Sequence, residues 1–480
     1  MTQPDRPVAL FALNPTIFVI FGITGDLASR KLIPALLNLY TKKLLPSRFA
    51  ILGFSRRMFN REEFREFIRS RMNVRLGQFK EEDIKHFLDH MSYEQGMFDD
   101  AGAYIRLASK MKNIDDRWGQ CSNKLYHLSV PPTLYEKILS NIARSGLAQS
   151  CGDGSGWTRV LIEKPFGSDS DTARCLDKLL GTLFKEEQIF RIDHYLAKEV
   201  LQNIMAFRFS NSMFEPLWNR HFIDKVHIKL FEKSGMDGRG AFYDPIGALK
   251  DVGQNHMLMM LAIVAMEAPD SFKAKDIRCE RAKILEKLKL MTGRSIRGRV
   301  VRGQYMGYMQ ESGISAQSQT ETYFRIQALI NSSRWKDVPF YLESGKAMSE
   351  SKVEIDVYFK KGERNDRQET GVGDAENKQN ILTFRIQPEE GIRIRFFVKV
   401  PGYDYITESK TLKFKYADVA SFDIISNDYE RLIHDAFIGD QALFASTDEI
   451  MASWKFMMSI LNNLRQTKLV LYEKGAEYVE

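Results

Sequence analysis

The chain has 480 residues, 44% of them apolar and 27% charged, with a formal net charge of +7. That length supports a large core spread over two or three domains, and the composition is that of an ordinary soluble globular protein. No block of clustered Lys and Arg argues for nucleic acid, and a modest positive field suits anionic small molecules equally well.

The four cysteines, Cys121, Cys151, Cys175 and Cys279, have neither metal-ligand spacing nor the look of a disulfide framework. They fit a reducing cytoplasm and no metal centre. The longest apolar run, Met257–Met266, is too short to span a bilayer and reads as a buried helix. The N-terminal stretch PVALFALNPTIFVIFG is broken by Asn14 and Pro15 and has no basic leader, so no signal peptide is expected.

In chain order, TIFVIFG reads as a strand and ASRKLIPALLNLYTK as a helix with Leu32, Leu36, Leu39 and Tyr40 inward. FAILGFS is a second strand and REEFREFIRSRM a second helix. KLYHLSV, RVLIEKPF and QIFRID follow, separated by helical or polar sequence. Such alternation implies a parallel sheet with crossover helices, and the predicted first domain is residues 1–205, of Rossmann type.

From residue 206 to 480 the pattern changes. KVHIKLFEK, TYFRIQALI, VEIDVYF, ILTFRIQ, IRIRFFVKV and TLKFKYA alternate apolar and polar residues, with Arg393, Arg395, Lys413 and Lys415 on the other face. This predicts an α+β domain with a large, mainly antiparallel sheet, one face wet or covered by a partner. Lys360–Asn380 reads as a polar, mobile loop, and the chain returns to helix from YERLIHDAF.

The chemistry starts at FVIFGITGDLASRKL, spaced Gly22-x-x-Gly25-x-x-Ala28 between strand and helix. Gly22 permits a tight turn, Gly25 lets backbone approach a pyrophosphate, and Ala28 lets the helix sit close to the sheet. An ordinary tight turn is the competing reading. At the end of the second strand an acid would bind the free ribose of NAD, but Ser55, Arg56 and Arg57 stand there. Arginine suits a 2′-phosphate, so NADP is favoured, against two merely exposed arginines.

RIDHYLAKEVLQN, Arg191–Asn203, reads as a strand ending at Asp193 that turns straight into a helix. His194 and Lys198 are then four apart on one face near a helix start, a plausible anion site. The bland alternative is Asp193 as a cap with the rest solvated. Further on, Asp251, Gln254, Asn255 and His256 open a strongly apolar helix. A histidine there is more often a satisfied core residue, but an acid such as Asp193 would make it a general base.

GITGDLASRKL, VLIEKPFG, RIDHYLAKEVLQN, GRGAFYDPIGALKDVGQNH and VPFYLESGKAM together resemble the glucose-6-phosphate dehydrogenase family, in order and over nearly the whole chain. The resemblance implies oxidation of glucose 6-phosphate to 6-phosphoglucono-1,5-lactone with NADP, the entry step of the oxidative pentose phosphate pathway. It implies His256 as the base, Asp193 as its partner, and His194, Tyr195 and Lys198 on the sugar phosphate. Glu232 and Asp251 match binders of sugar hydroxyls, and Lys164 matches a lysine between substrate and cofactor. Lys346 and Gln387 match further substrate contacts. Gly22, Thr24, Gly25, Asp26, Leu27, Arg56 and Lys164 fall to the cofactor. A homodimer or homotetramer is implied, with no nucleic-acid or membrane partner.

The chain departs from the family pattern at Ala197, at RGAFYD, at Lys250 and at Met259, each beside the chemistry rather than in it. Two other readings compete. A relative acting on an unphosphorylated hexose would not need both His194 and Lys198. A cofactor-sensing binding protein would have lost His256 or Asp193.

Overall fold

A computed structural model describes residues 14–72, 79–150, 156–361, 379–404, 406–418 and 427–479. The chain divides into two compact units. One comprises Met1–Gly167, Asp171–Ala197 and Ser426–Thr447; the other comprises Ser168–Ser170, Lys198–Ile425 and Asp448–Glu480. The expected loop over Lys360–Asn380 falls mostly on residues 362–378, which lie outside the described residues. Among the described residues no helix is long and apolar enough to cross a membrane.

In the first unit, β1 (Thr16–Phe21), β2 (Phe49–Ser55), β3 (Met91–Gln95), β4 (Asn123–Leu128), β5 (Thr158–Glu163) and β6 (Ile189–Ile192) pair in parallel, in the order β6-β5-β4-β1-β2-β3. Every residue of β1 is buried, as expected of a central parallel strand covered on both faces. The chain runs outward one way through β2 and β3 and the other way through β4, β5 and β6. The β1/β4 pair is therefore the point where strand order reverses. The helix Arg61–Arg71 is held by a capping box. The Asn60 side chain accepts from Glu62 and Glu63 N–H, and the Glu63 side chain accepts from Asn60 N–H.

The second unit contains β7 (Ile223–Phe231), β8 (Val300–Tyr305), β9 (Tyr323–Ala328), β10 (Phe340–Gly345), β11 (Lys352–Phe359), β12 (Ile381–Gln387), β13 (Gly391–Lys399) and β14 (Thr407–Lys415). The chain then returns β15 (Phe444–Ala445) to the first unit, antiparallel to β6, before β16 (Leu469–Tyr472) completes the second sheet. Among the described residues that sheet has nine strands, ordered β14-β13-β12-β11-β7-β10-β9-β8-β16. Only the β7/β10 and β8/β16 pairs are parallel. β12 buries every second residue, the period-two pattern legible in ILTFRIQ.

The apolar run at Met257–Met266 is a helix, Leu258–Ala265, buried at every position. It continues a π-helical segment, Leu249–Met257. A helix end this deep must satisfy its last carbonyls inside the protein. Arg208 Nη1 donates to Val264 O at 3.0 Å and to Met266 O at 2.9 Å. Trp218 Nε1 donates to Val264 O and Trp335 Nε1 to Ala265 O, each at 2.8 Å. The Arg208 side chain is fully buried and pairs with Glu215 at 3.0 Å. Burial pulls its guanidinium down to about 10, against Glu215, which favours the charge. Replacing Arg208 by Met takes the donor from Met266 O and one of two arginines from Glu215, while Val264 O keeps Trp218 and Glu215 keeps Arg334 at 2.9 Å. The expected cost is about 3–5 kcal/mol of unfolding free energy. A denaturant titration reads it as a lower midpoint at unchanged slope, and an unchanged midpoint refutes it.

One expectation is corrected here. Cys121 is disulfide-bonded, whereas Cys175 and Cys279 are free and exposed. Spacing along the chain does not report which sulfurs a fold brings within bonding reach.

Candidate active site

Four of the expected site residues stand one residue past the carboxyl end of a parallel strand. Gly22 follows β1, Arg56 follows β2, Lys164 follows β5 and Asp193 follows β6. Parallel pairing puts all four on one edge of the sheet, where open α/β sheets take their ligands. Gly22 adopts φ +82°, and its N–H donates to Phe54 O at 2.8 Å. A Cβ there would lie 2.3 Å from Ser129 O, so the turn admits only glycine. Gly25 N–H donates back to Gly22 O at 2.9 Å, and Thr24 Oγ1 lies 3.0 Å from Ser55 Oγ. Asp26 and Leu27 are the first helical residues. First-turn N–H groups lack intrahelical acceptors and aim at an anion. A small-residue turn opening onto those donors fits a dinucleotide pyrophosphate.

Arg56 and Arg57 are exposed at the end of β2. The Tyr93 hydroxyl lies 2.6 Å from Arg57 O and 2.9 Å from Ser55 O, and Gln95 Nε2 donates to Arg56 O at 3.3 Å. The Arg57 guanidinium sits 5.3 Å from the centre of the Phe67 ring. Tyr93 and Gln95 thus fix the backbone of this arginine pair. The sequence reading missed both, because a tyrosine in a short strand carries no motif.

The segment after β6 departs from the expected helix. Asp193, 2% exposed, accepts Tyr195 N–H on Oδ1 at 3.1 Å, and Leu196 N–H donates to Asp193 O at 3.0 Å. This side-chain turn competes with helix and wins over residues 194–197. The helix, Glu199–Phe209, starts only after Lys198, its N-cap residue. His194 and Lys198 therefore do not share a helix face. The His194 and Tyr195 rings lie 4.8 Å apart. The Lys164–Pro165 peptide is cis.

The second unit carries its own cluster. Glu232 follows β7 and Lys346 follows β10, and the parallel register places Gly345 opposite Phe231. The two site residues therefore emerge side by side. Lys346, 7% exposed, pairs with Glu232, and its ammonium lies 3.8 Å from Asp251 Oδ2 and 5.2 Å from the Tyr243 ring centre. Gln387 ends β12 opposite Val353 of β11, on the same sheet edge. His256 is 1% exposed and lies in the π-helical segment with Asp251. The Asn255 side chain ties these two, donating to Asp251 O at 3.0 Å and accepting His256 N–H at 2.7 Å. A π-turn closes i to i+5, the separation of Asp251 and His256. The sequence period predicted an ordinary helix here, whereas the segment is π-helical over Leu249–Met257.

Two family models match this chain. The glucose-6-phosphate dehydrogenase NAD binding domain covers residues 19–203, and the glucose-6-phosphate dehydrogenase C-terminal domain covers residues 205–478. The chain belongs to the glucose-6-phosphate dehydrogenase family. It is 41% identical to glucose-6-phosphate 1-dehydrogenase of Aggregatibacter actinomycetemcomitans over 95% of its own length and 92% of the relative's. It is 39% identical to that of Borreliella burgdorferi, over 96% of this chain and 94% of that one. Among solved structures, a glucose-6-phosphate dehydrogenase in complex with its substrate glucose-6-phosphate aligns with TM-score 0.88 and 30% identity, covering 98% of this chain and 96% of that one. The Mycobacterium avium glucose-6-phosphate 1-dehydrogenase aligns with TM-score 0.81 and 30% identity, over 96% and 95%. Family membership makes the protein an oxidoreductase with a nicotinamide dinucleotide cofactor, on a Rossmann-type domain followed by a large-sheet domain.

Proposed function

We propose that this protein oxidises glucose 6-phosphate to 6-phosphoglucono-1,5-lactone, with NADP as the hydride acceptor. The observation that carries the reading is the cluster of Glu232, Asp251 and Lys346 on the second unit, in the same unit as the buried His256. Two carboxylates and an ammonium offer both acceptors and donors to sugar hydroxyls. His256 takes the proton of the anomeric hydroxyl as the C1 hydrogen departs with its electron pair, and C1–O becomes a carbonyl. The bound nicotinamide supplies the acceptor for that hydride. In the first unit Asp193 is assigned as the acid that orients His256. His194, Tyr195 and Lys198 are assigned to the phosphate. Glu232, Asp251, Lys346 and Gln387 are assigned to the sugar, and Lys164 to substrate and cofactor.

Gly22, Thr24, Gly25, Asp26 and Leu27 are assigned to the pyrophosphate and Arg56 to the 2′-phosphate. The choice of NADP over NAD rests on Arg56 standing where an acid would bind a free ribose. The same reading makes the protein a cytoplasmic homodimer or homotetramer that engages neither nucleic acid nor membrane.

The test is the initial rate of nicotinamide reduction with glucose 6-phosphate, run with NADP and with NAD, with unphosphorylated glucose as control. Rapid reduction is expected with NADP and the phosphorylated sugar, and much slower reduction with glucose. Faster reduction with NAD than with NADP overturns the Arg56 assignment. Folded protein that reduces neither cofactor overturns the substrate.

A further inference from the structure

Glu321 is buried and has no place in the chemistry assigned above, yet it lies where the His256 turn begins. Its carboxylate Oε1 accepts Leu249 N–H at 3.0 Å, and its own carbonyl accepts Ala248 N–H at 3.0 Å. These bonds anchor the N-terminal end of the segment that carries Asp251 and His256. Gly247, at φ +73°, makes the approach possible: a Cβ there would lie 2.4 Å from Glu321 Oε1. The neighbouring residue, Thr322, accepts Lys346 N–H on its carbonyl at 2.9 Å. Its hydroxyl meets Tyr472, whose hydroxyl donates to Lys346 O at 2.7 Å. One dipeptide therefore holds both the His256 turn and Lys346.

The dipeptide is itself fixed. Thr320 Oγ1 donates to Asp244 O at 2.6 Å, and Ser318 Oγ and Tyr308 Oη donate to Asp244 Oδ1 at 2.5 and 2.9 Å.

We propose that Glu321 is a positioning residue: its side-chain oxygen sets the start of the His256 turn in register with Lys346. The proposal rests on the assignment of His256 as the base. What the geometry uses is an acceptor oxygen at full reach, not a charge. Burial pushes the Glu321 carboxyl up to about 7, against the Leu249 N–H bond and the Arg302 and Lys250 charges, which favour the ionised form. A neutral isostere of the same length therefore keeps the function, and a charged residue one methylene shorter loses it.

The experiment compares Glu321→Gln with Glu321→Asp by steady-state kinetics and by hydrogen exchange of the amides in residues 249–258. Glu321→Gln is expected to stay within about threefold of the parent in kcat and exchange. Glu321→Asp is expected to lose about tenfold or more in kcat, with a smaller rise in KM, because small misplacements of a reacting group are costly. Its exchange over residues 249–258 should rise about tenfold, as the opening equilibrium of that segment shifts. Parent-like Glu321→Asp, or Glu321→Gln that falls as far as Glu321→Asp, overturns the proposal. An unfolded Glu321→Asp beside a folded Glu321→Gln also overturns it, since the role is then one of general stability. If the parent does not oxidise glucose 6-phosphate, the functional reading fails, and the exchange comparison still decides whether Glu321 positions the turn.

Discussion

His256→Asn is expected to lower kcat by about 10²–10⁴-fold, the usual worth of a positioned general base, while KM for glucose 6-phosphate stays within about threefold. Asparagine keeps a polar amide of similar size in the buried slot of His256. It cannot accept and hold a proton at neutral pH, so only the group that ionises is removed. Asn255 holds residue 256 by its backbone N–H, a bond the substitution leaves in place. The substrate should bind and wait. A second signature follows. With proton removal slowed, C–H cleavage becomes rate-limiting, and sugar deuterated at C1 should turn over measurably more slowly than protiated sugar in the variant. Near-normal turnover removes the base assignment.

How much of this was legible in the sequence depends on how local each cause is. β1 and its glycine turn were readable because strand, turn and helix lie within one short stretch, and φ +82° at Gly22 leaves glycine no rival. β7, β9 and β11 to β14 were readable from period-two alternation. β3, β8, β10 and β16 were not read as strands. β10 pairs in parallel with β7 and β16 with β8, and neither of these long-range pairings leaves a local trace. The return of β15 to β6 joins residues about 250 positions apart and is likewise silent in sequence. At the site, residue types were readable and backbone states were not. Asp193 was singled out, but its Asx turn delays the helix to Glu199, so His194 and Lys198 do not share a helix face. Glu321 and Arg208 hold the two ends of the His256 helical stretch, and neither lies in a motif. Their roles come from contacts across more than 50 residues.

Lys198→Ala is expected to raise KM for glucose 6-phosphate by about 10- to 150-fold, because a hydrogen bond to a charged group is worth about 1.5–3 kcal/mol and each 1.4 kcal/mol is tenfold. Lys198 stands at the N-cap of the helix Glu199–Phe209, and its carbonyl already accepts the Leu201 and Gln202 N–H groups, at 3.0 and 3.2 Å. The substitution leaves those backbone bonds alone and removes the ammonium together with its aliphatic stem. A helix N-terminus favours an anion by itself, so binding is weakened rather than abolished. The phosphate lies at C6 and the reacting centre at C1, so the lost contact is the same in ground and transition states. Uniform binding of that kind appears in KM and not in kcat. Two controls bind the effect to charge. Inorganic phosphate should inhibit the parent competitively and inhibit the variant far less. Added salt should raise the parent's KM more steeply than the variant's, since one fewer charged contact is left to screen. A KM unchanged from the parent removes Lys198 from the phosphate site and leaves His194 and Tyr195 to hold it.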